Sequence, residues 1–173
     1  MGLTSEITLE SVQKLFDKFF DLNSLLDRQV YLLDIKWNLS KYQDYVHHHI
    51  AHKMPELADD IQFFGSLRGD LFYRGKVDEH REDYTSVHEL TEKYVMALSE
   101  VEELCKESIK IASENGDIFY EDYLRDFSFN KVVPLMKQAI VFYNAIRSYE
   151  NNGDLIKWND DFESFIIDKG GDD

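Results

Sequence analysis

Residues that interrupt helices are rare in this chain. Proline occurs only at positions 55 and 134, and most of the eight glycines lie in 65–75, at 116, at 153 and at 170–171. Because so few positions can break a helix, the stretches between them are predicted to form long helices. The 173 residues, 43% of them hydrophobic, suffice for one globular domain with its own core.

Apolar residues recur every three or four positions in four stretches, which predicts four amphipathic helices at about 8–37, 41–64, 86–114 and 117–149. Ser86 and Glu89 form a predicted capping box at the start of the third helix. Gly116 suits the left-handed position that ends it, and Asp117 is expected to cap the fourth helix. Pro134 is expected to kink that helix. Its predicted buried residues are Tyr123, Phe127, Leu135, Ile140, Val141 and Ile146.

The connection between the second and third helices, about 65–84, is long enough to cross a bundle end to end, whereas the other two connections are short. This pattern is typical of a ferritin-like four-helix bundle with one long crossover. A short amphipathic helix, docked on the bundle or on a neighbour, is predicted from Leu155, Trp158, Phe162, Phe165 and Ile166. We expect a single domain over 1–173, with the bundle at about 8–149, an acidic C-terminal tail at 150–173 and fraying at 170–173.

A net charge of −15 repels nucleic-acid phosphates and anionic membranes, so neither is an expected partner. The same charge is consistent with solubility alone or with attraction of cations. The single cysteine, Cys105, permits no intrachain disulfide, which fits a reducing cytoplasm, and its position predicts a buried side chain. No apolar run could span a bilayer, residues 1–10 lack the apolar core of a secretory signal, and no phosphate loop or nucleophile motif supports a kinase or hydrolase.

Four of the six histidines lie in 47–52, and carboxylates follow at Glu56, Asp59 and Asp60. Imidazole and carboxylate on one helix are ligands for iron, zinc or manganese. At about 100° per residue, one face away from the core carries His48, His52, Glu56 and Asp59. These four residues are the predicted metal ligands. Tyr45 and Phe63 lie on the same face, which indicates that a neighbouring subunit covers it.

The alternative is a solvated histidine face that binds no metal. His47 and His49 flank the core face and are expected to be packing or surface residues. His80 and His88, in or near the crossover, are expected to be solvated, as is Glu79. Pro55 interrupts the histidine helix, so the angles after it are expected to deviate.

The first helix closes with Trp37, Asn38 and Leu39, and His48 follows eleven positions after the tryptophan. This pattern resembles the Dps-like branch of the ferritins, whose members carry His-Trp-Asn-Val there and a His-x-x-x-Asp pair eleven and fifteen residues after the tryptophan. His48 and His52 occupy those positions. The stretches 57–65 and 109–117 are similar to further motifs of the family, and the resemblance covers about residues 12–148.

The resemblance implies an iron-binding protein that forms a closed homo-oligomeric shell, such as a dodecamer, and that oxidises and stores ferrous iron. It implies non-haem iron between subunits, with the two histidines from one and Glu56 and Asp59 from the other. Lys36 stands where the family has a ligand histidine and would repel a cation; His52 replaces an acid. A ferritin-like structural or interaction protein that has lost its metal centre is therefore the alternative, and the ferroxidase activity stays open.

Overall fold

A computed structural model describes residues 2–167, and within that range the chain is helical without any strand. The predicted all-α class is therefore confirmed. The helices are α1 (Glu6–Ile35), α2 (Ser40–Tyr45), α3 (Lys53–Leu67), α4 (Val87–Glu114), α5 (Ile118–Phe127), α6 (Val133–Asn151) and α7 (Leu155–Asp161). A π-helical turn at Val46–Ala51 joins α2 to α3, another at Ser128–Val132 joins α5 to α6, and a 3₁₀ turn at Phe162–Phe165 follows α7.

Hydrogen bonds between helices give their relative directions. Ser11 near the start of α1 meets Ser108 near the end of α4, with 2.8 Å between the two hydroxyl oxygens. Gln29 near the end of α1 donates to the carbonyl of Leu90 near the start of α4, so α1 and α4 are antiparallel. The rod made by α2 and α3 is also antiparallel to α1, because Asn23 donates to the carbonyl of Ala51 at 2.9 Å while the end of the rod lies near the start of α1.

The connection at 68–86 runs along α1 from one end of the bundle to the other. Gln13 donates to the Tyr73 carbonyl at 2.7 Å, and Lys36 lies 2.8 Å from Asp83 at the opposite end of α1. The rod made by α5 and α6 packs against α4 and touches the α2–α3 rod through side chains, for example the stacked rings of Phe64 and Tyr123. Four helical rods thus surround a shared apolar core.

The core follows the predicted stripes on α1 and α4, and it departs from them on α6. Ile140, predicted to be buried, is 42% exposed, whereas Phe142 is 2% exposed and lies in the core. The π-helical turn before α6 explains the shift, because each wide turn rotates the residues that follow it. Cys105 is buried as predicted, and burial raises the pKa of its thiol to about 11.

Helix ends are closed partly by contacts that the sequence did not indicate. Gly116 has φ +71°, which confirms the left-handed end of α4. Asp117, however, does not cap α5; its carboxylate accepts hydrogen bonds from Ser5 and Thr8 at the start of α1. Partial burial raises the pKa of Asp117, but these hydrogen bonds outweigh burial and lower it overall. The prediction was wrong because the hydroxyls of Ser5 and Thr8 and the N–H of Ser5 hold this carboxylate at the start of α1 instead.

The capping box of α4 forms only in part. The Ser86 hydroxyl accepts a hydrogen bond from the N–H of Glu89 at 3.0 Å, as predicted. The Glu89 carboxylate returns to Thr85 rather than to Ser86. Glu150 of α6 accepts the first two N–H groups of α4, those of Val87 and His88, so a neighbouring helix completes the cap.

Each proline lies just after a π-helical turn. Pro55 has no N–H to offer the carbonyl of Ala51 four residues earlier, and Asn23 donates to that carbonyl instead. Pro134 stands at the start of α6, just after the turn at Ser128–Val132, which interrupts the predicted fourth helix near the expected kink. A residue without an N–H therefore alters the helix upstream of itself.

The C-terminal segment, residues 155–166, docks on its own bundle. Trp158 and Phe162 are buried, and their rings pack against Tyr42 of α2 with centroids 5.4 and 5.3 Å away. Asn159 accepts hydrogen bonds from the N–H groups of Lys41 and Tyr42, both at 3.0 Å. The segment thereby caps α2, while the predicted fraying at 170–173 lies outside the described residues. Searched over residues 2–167, no helix is both long and apolar enough to cross a membrane.

Candidate metal centre

Three histidine side chains converge on the surface of the α2–α3 rod. One ring nitrogen from each of His47, His48 and His52 lies within 4.8 Å of the others, and we call these three residues the imidazole cluster. The ring centroid of His47 lies 4.7 Å from that of His48 and 4.5 Å from that of His52. His47 is half-buried and the other two are exposed, so the cluster opens to solvent.

The π-helical turn brings the cluster together. The N–H of His52 bonds to the carbonyl of His47, five residues earlier, at 3.2 Å. A π-helix has a wider turn than an α-helix, so residues five apart share a face. His47, interpreted from the sequence as a packing or surface residue, is half-buried and lies beside His48 and His52, because the helix before Pro55 is not regular. The distortion precedes the proline, since the affected carbonyl belongs to Ala51.

The surroundings of the cluster separate it from the fourth histidine of the stretch. His49 lies outside the cluster, is exposed, and stacks on Tyr45 with the ring centroids 4.9 Å apart. Tyr45 packs in turn against Phe142 and Phe162. Tyr45, which was expected to be covered by a neighbouring subunit, is therefore covered by residues of its own chain. Phe63, expected to be covered in the same way, is 69% exposed in the single chain.

A carboxylate lies next to the cluster on its α2 side. Asp44 Oδ1 is 3.3 Å from His48 Nε2, and both side chains are more than half exposed. A carboxylate at this distance can orient the imidazole and favours a cation nearby.

The predicted ligands fall into two groups. His48 and His52 are together in the cluster. Glu56 and Asp59 are exposed on α3 and are not members of it. Because the sequence interpretation takes those carboxylates from a second subunit, a single chain does not test it, and the four-ligand site stays a prediction. Asp60 accepts a hydrogen bond from Tyr123 and so links two rods.

Lys36 lies far from the cluster within one chain. Its ammonium group pairs with Asp83 at 2.8 Å and donates to the Tyr84 carbonyl. Asn23 marks the level of the cluster on α1, and thirteen further residues at about 1.5 Å each place Lys36 roughly 20 Å away along the helix. Since screening in salt reaches about 8–10 Å, the Lys36 charge does not oppose a cation at this chain's own cluster.

The interior of the bundle offers no comparable site in the described part of the chain. Its buried polar side chains are Thr4, Thr8, Ser11, Gln29, Asp70, Thr91 and Ser108. Asp70, the one carboxylate among them, lies at the bundle end and accepts hydrogen bonds from Thr4 at 2.8 Å and Tyr120 at 2.9 Å. Over residues 2–167, the imidazole cluster is the one group of histidine, cysteine and acidic side chains with metal-ligand spacing.

Two further histidines differ from their predicted solvated state. His80 is 12% exposed and lies between Asp21, 2.8 Å from Nε2, and Glu82, 2.9 Å from Nδ1. Burial lowers the pKa of His80, but the hydrogen bonds to both carboxylates outweigh burial and raise it overall. His88 is half-buried and its ring centroid lies 4.5 Å from that of Tyr143. Both predictions were wrong because they did not include the contact of His80 with α1 or the contact of His88 with α6.

The chain is thus an all-helical bundle protein with a surface imidazole cluster. A scan with models of known protein families finds no match to it, and a search of curated proteins finds no match either. The resemblance to the Dps-like ferritins therefore rests on the sequence motifs alone.

Proposed function

We propose that this protein binds a divalent transition-metal ion at the imidazole cluster. The observation that carries the proposal is the convergence of three imidazole nitrogens within 4.8 Å at the π-helical turn, in a cluster that opens to solvent. Neutral imidazole is a ligand for zinc, copper, nickel and iron, with metal–nitrogen distances of about 2.0–2.1 Å for zinc. His48 and His52 are exposed, so solvent leaves their rings room to turn toward an ion.

The charge of the molecule supports a cationic ligand. The net charge of −15 attracts cations from solution, and the Asp44 carboxylate stands 3.3 Å from His48. The acidic balance raises the local concentration of metal ions, while the imidazoles supply the selective contacts.

A second candidate function is the oxidation and storage of ferrous iron in a homo-oligomeric shell of the ferritin-like class. Two observations favour it: the antiparallel rods joined by one long connection along α1, and the exposed carboxylates of Glu56 and Asp59 on the same rod as the cluster. Exposed carboxylates are available to a second copy, and iron after oxidation prefers oxygen ligands.

Equilibrium dialysis against a mixture of manganese, iron, cobalt, nickel, copper and zinc tests the first candidate, with bound metals measured by mass spectrometry. We expect retention of at least one metal by the parent and loss of it in the His48→Ala/His52→Ala double variant. A parent that retains no metal would support the alternative of a structural or interaction protein.

Anaerobic loading with ferrous iron, followed by admission of oxygen or peroxide, tests the second candidate. Oxidation gives ferric absorbance, and the iron site predicts slower oxidation in Glu56→Ala/Asp59→Ala. Oxidation at the parent rate in that variant, or no oxidation beyond a protein-free control, would argue against the iron-storing function.

A further inference from the structure

We infer that His47 is the third ligand of a three-imidazole site that takes borderline ions of the zinc, cobalt, nickel and copper class. This inference rests on the proposed metal binding and deepens it, because it names the third ligand and the kind of ion. It depends on the wide turn at Val46–Ala51, which is absent from a regular helix.

The donor set indicates the class of ion. The cluster offers three imidazole nitrogens and no carboxylate among its members. Magnesium and manganese prefer oxygen ligands, and ferrous iron binds nitrogen donors more weakly than cobalt, nickel, copper or zinc. A nitrogen-only set therefore selects against the hard ions and places ferrous iron below the later metals.

The spacing fits a small ion after modest closure. Two nitrogens bound to one tetrahedral zinc lie about 3.3 Å apart, given zinc–nitrogen distances of about 2.0–2.1 Å. The present separations are at most 4.8 Å, so the rings need to close by no more than about 1.5 Å. His47 is half-buried and supplies the fixed member, whereas the two exposed rings supply the adjustment.

All three donors approach from one side. His47 and His48 lie in the turn at Val46–Ala51, His52 directly follows it, and His48 and His52 are exposed, so the opposite side of a bound ion faces solvent. Water or a small anion fills the remaining coordination positions. Such a site exchanges its ion readily, in contrast to structural zinc sites that are closed by four protein ligands.

The backbone couples the site to the wide turn. His47 and His52 are joined by the hydrogen bond that closes the π-helical turn, and an ion held by both residues clamps the same turn from its side-chain face. A ligand that binds only this arrangement stabilises it, so metal binding is expected to raise the melting temperature.

The decisive comparison uses His47→Ala and His49→Ala. Both positions belong to the same turn, but His49 stacks on Tyr45 outside the cluster and serves as the matched control. Zinc affinity is measured by competition with a chromophoric chelator. Cobalt is added as a second probe, because the intensity of its visible absorbance distinguishes four-coordinate from six-coordinate binding.

We expect His47→Ala to lower zinc affinity by more than about 100-fold, beyond the 10–100-fold loss typical of outer-shell changes. His49→Ala should change it by less than about 3-fold, which is small on that scale. Parent protein should bind zinc more tightly than ferrous iron under anaerobic conditions. His47→Gln, which keeps a polar side chain of similar length, provides a second variant, and circular dichroism checks that each variant stays folded.

The outcomes separate the inference from the proposed function. Zinc affinity that survives His47→Ala and His47→Gln but is lost in His48→Ala/His52→Ala would overturn the third-ligand assignment and leave metal binding intact. Ferrous iron that binds more tightly than zinc and depends on Glu56 would overturn the class of ion and favour the iron site. A parent that binds none of these metals would refute both.

Discussion

At the scale of single residues, Pro55 acts on the helix before it. The carbonyl of Ala51, which a regular helix would pair with the residue at position 55, instead accepts the side-chain amide of Asn23 at 2.9 Å. The polar contact anchors the wide turn to α1 just beside His52. Asn23 therefore has a role that its position in the sequence of α1 did not reveal.

Replacing Asn23 by alanine should destabilise the protein by about 1–2 kcal/mol, because the Ala51 carbonyl loses its donor in a partly buried place. Urea denaturation followed by circular dichroism measures the change. Asn130→Ala is a suitable control, since that side chain is exposed and bonds only within its own rod. A stability change in Asn23→Ala no larger than in the control would show that the contact contributes nothing.

The His80 contacts predict a pH-dependent stability. Because its folded pKa is raised above the ordinary value of 6.5, its contribution is fully present below that value and is lost as pH rises through the folded pKa. For Glu82, burial raises the pKa, but the hydrogen bond from His80, a backbone hydrogen bond and nearby positive charge together outweigh burial and lower it, so its contribution is lost in acid. Both contributions are present together between the ordinary values of 4.5 and 6.5.

Melting temperatures of the parent and His80→Gln, measured from pH 5 to about pH 9, test this linkage. The parent should exceed the variant most near pH 5–6, and the difference should shrink as the imidazolium loses its proton. His49→Gln, at an exposed site outside these carboxylate contacts, is the control. A difference that grows with rising pH would contradict the assignment of the two carboxylate contacts.

Sequence reasoning at this scale found the histidine stretch and two members of its cluster. It missed His47 because a fixed rotation of about 100° per residue does not hold in a π-helical turn. Pro55 did indicate a distorted helix, but the distortion was expected after the proline and lies before it. The carboxylate partners of His80 could not be found, since they depend on which side of α1 the connection follows.

At the scale of helices and segments, the short C-terminal segment acts as part of the bundle. Helix α2 begins at Ser40 without a side-chain cap of its own, and Asn159 supplies the missing acceptor for two N–H groups. Phe162 packs against Tyr45, which directly precedes the π-helical turn. The segment therefore holds the rod that carries the imidazole cluster.

Asn159→Ala should lower the free energy of unfolding by about 1 kcal/mol, the usual contribution of a helix cap.

Trp158→Ala should lower the free energy of unfolding by about 3–5 kcal/mol, because it empties a fully buried site among aromatic rings. Chemical denaturation measures both, and zinc titration shows whether the cluster loosens with α2. Asn152→Ala, at an exposed helix end, is the control. Equal stability of Trp158→Ala and the parent would mean that the segment does not hold α2.

At the scale of the whole molecule, the apolar stripes, the left-handed end at Gly116 and the long connection were predictable, because each depends on local spacing or on one residue's conformational freedom. Which residues of α6 face the core was not predictable, because the π-helical turn at Ser128–Val132 rotates every residue after it. Glu150 and Asp117 cap helices distant in sequence, which only the packed arrangement determines.

Assembly of several copies is a prediction of the sequence that one chain does not test. One end of the bundle exposes apolar side chains at Leu67, Leu71 and Phe119, each more than half exposed, with Arg68 stacked on Phe119 at 4.9 Å. Apolar groups gathered at one end favour contact with another molecule. We expect a closed homo-oligomer by light scattering.

Leu71→Asp and Phe119→Asp should each reduce the mass of the homo-oligomer, because a carboxylate at either site opposes burial in a contact between acidic copies. Zinc binding should persist in both variants, since the imidazole cluster lies on the rod far from this end. Tyr31→Asp controls for the added charge, because Tyr31 is an exposed aromatic residue on α1 away from this end of the bundle. A parent that is monomeric at all concentrations would remove the site shared between subunits. The imidazole cluster of the single chain would then be the metal site to consider.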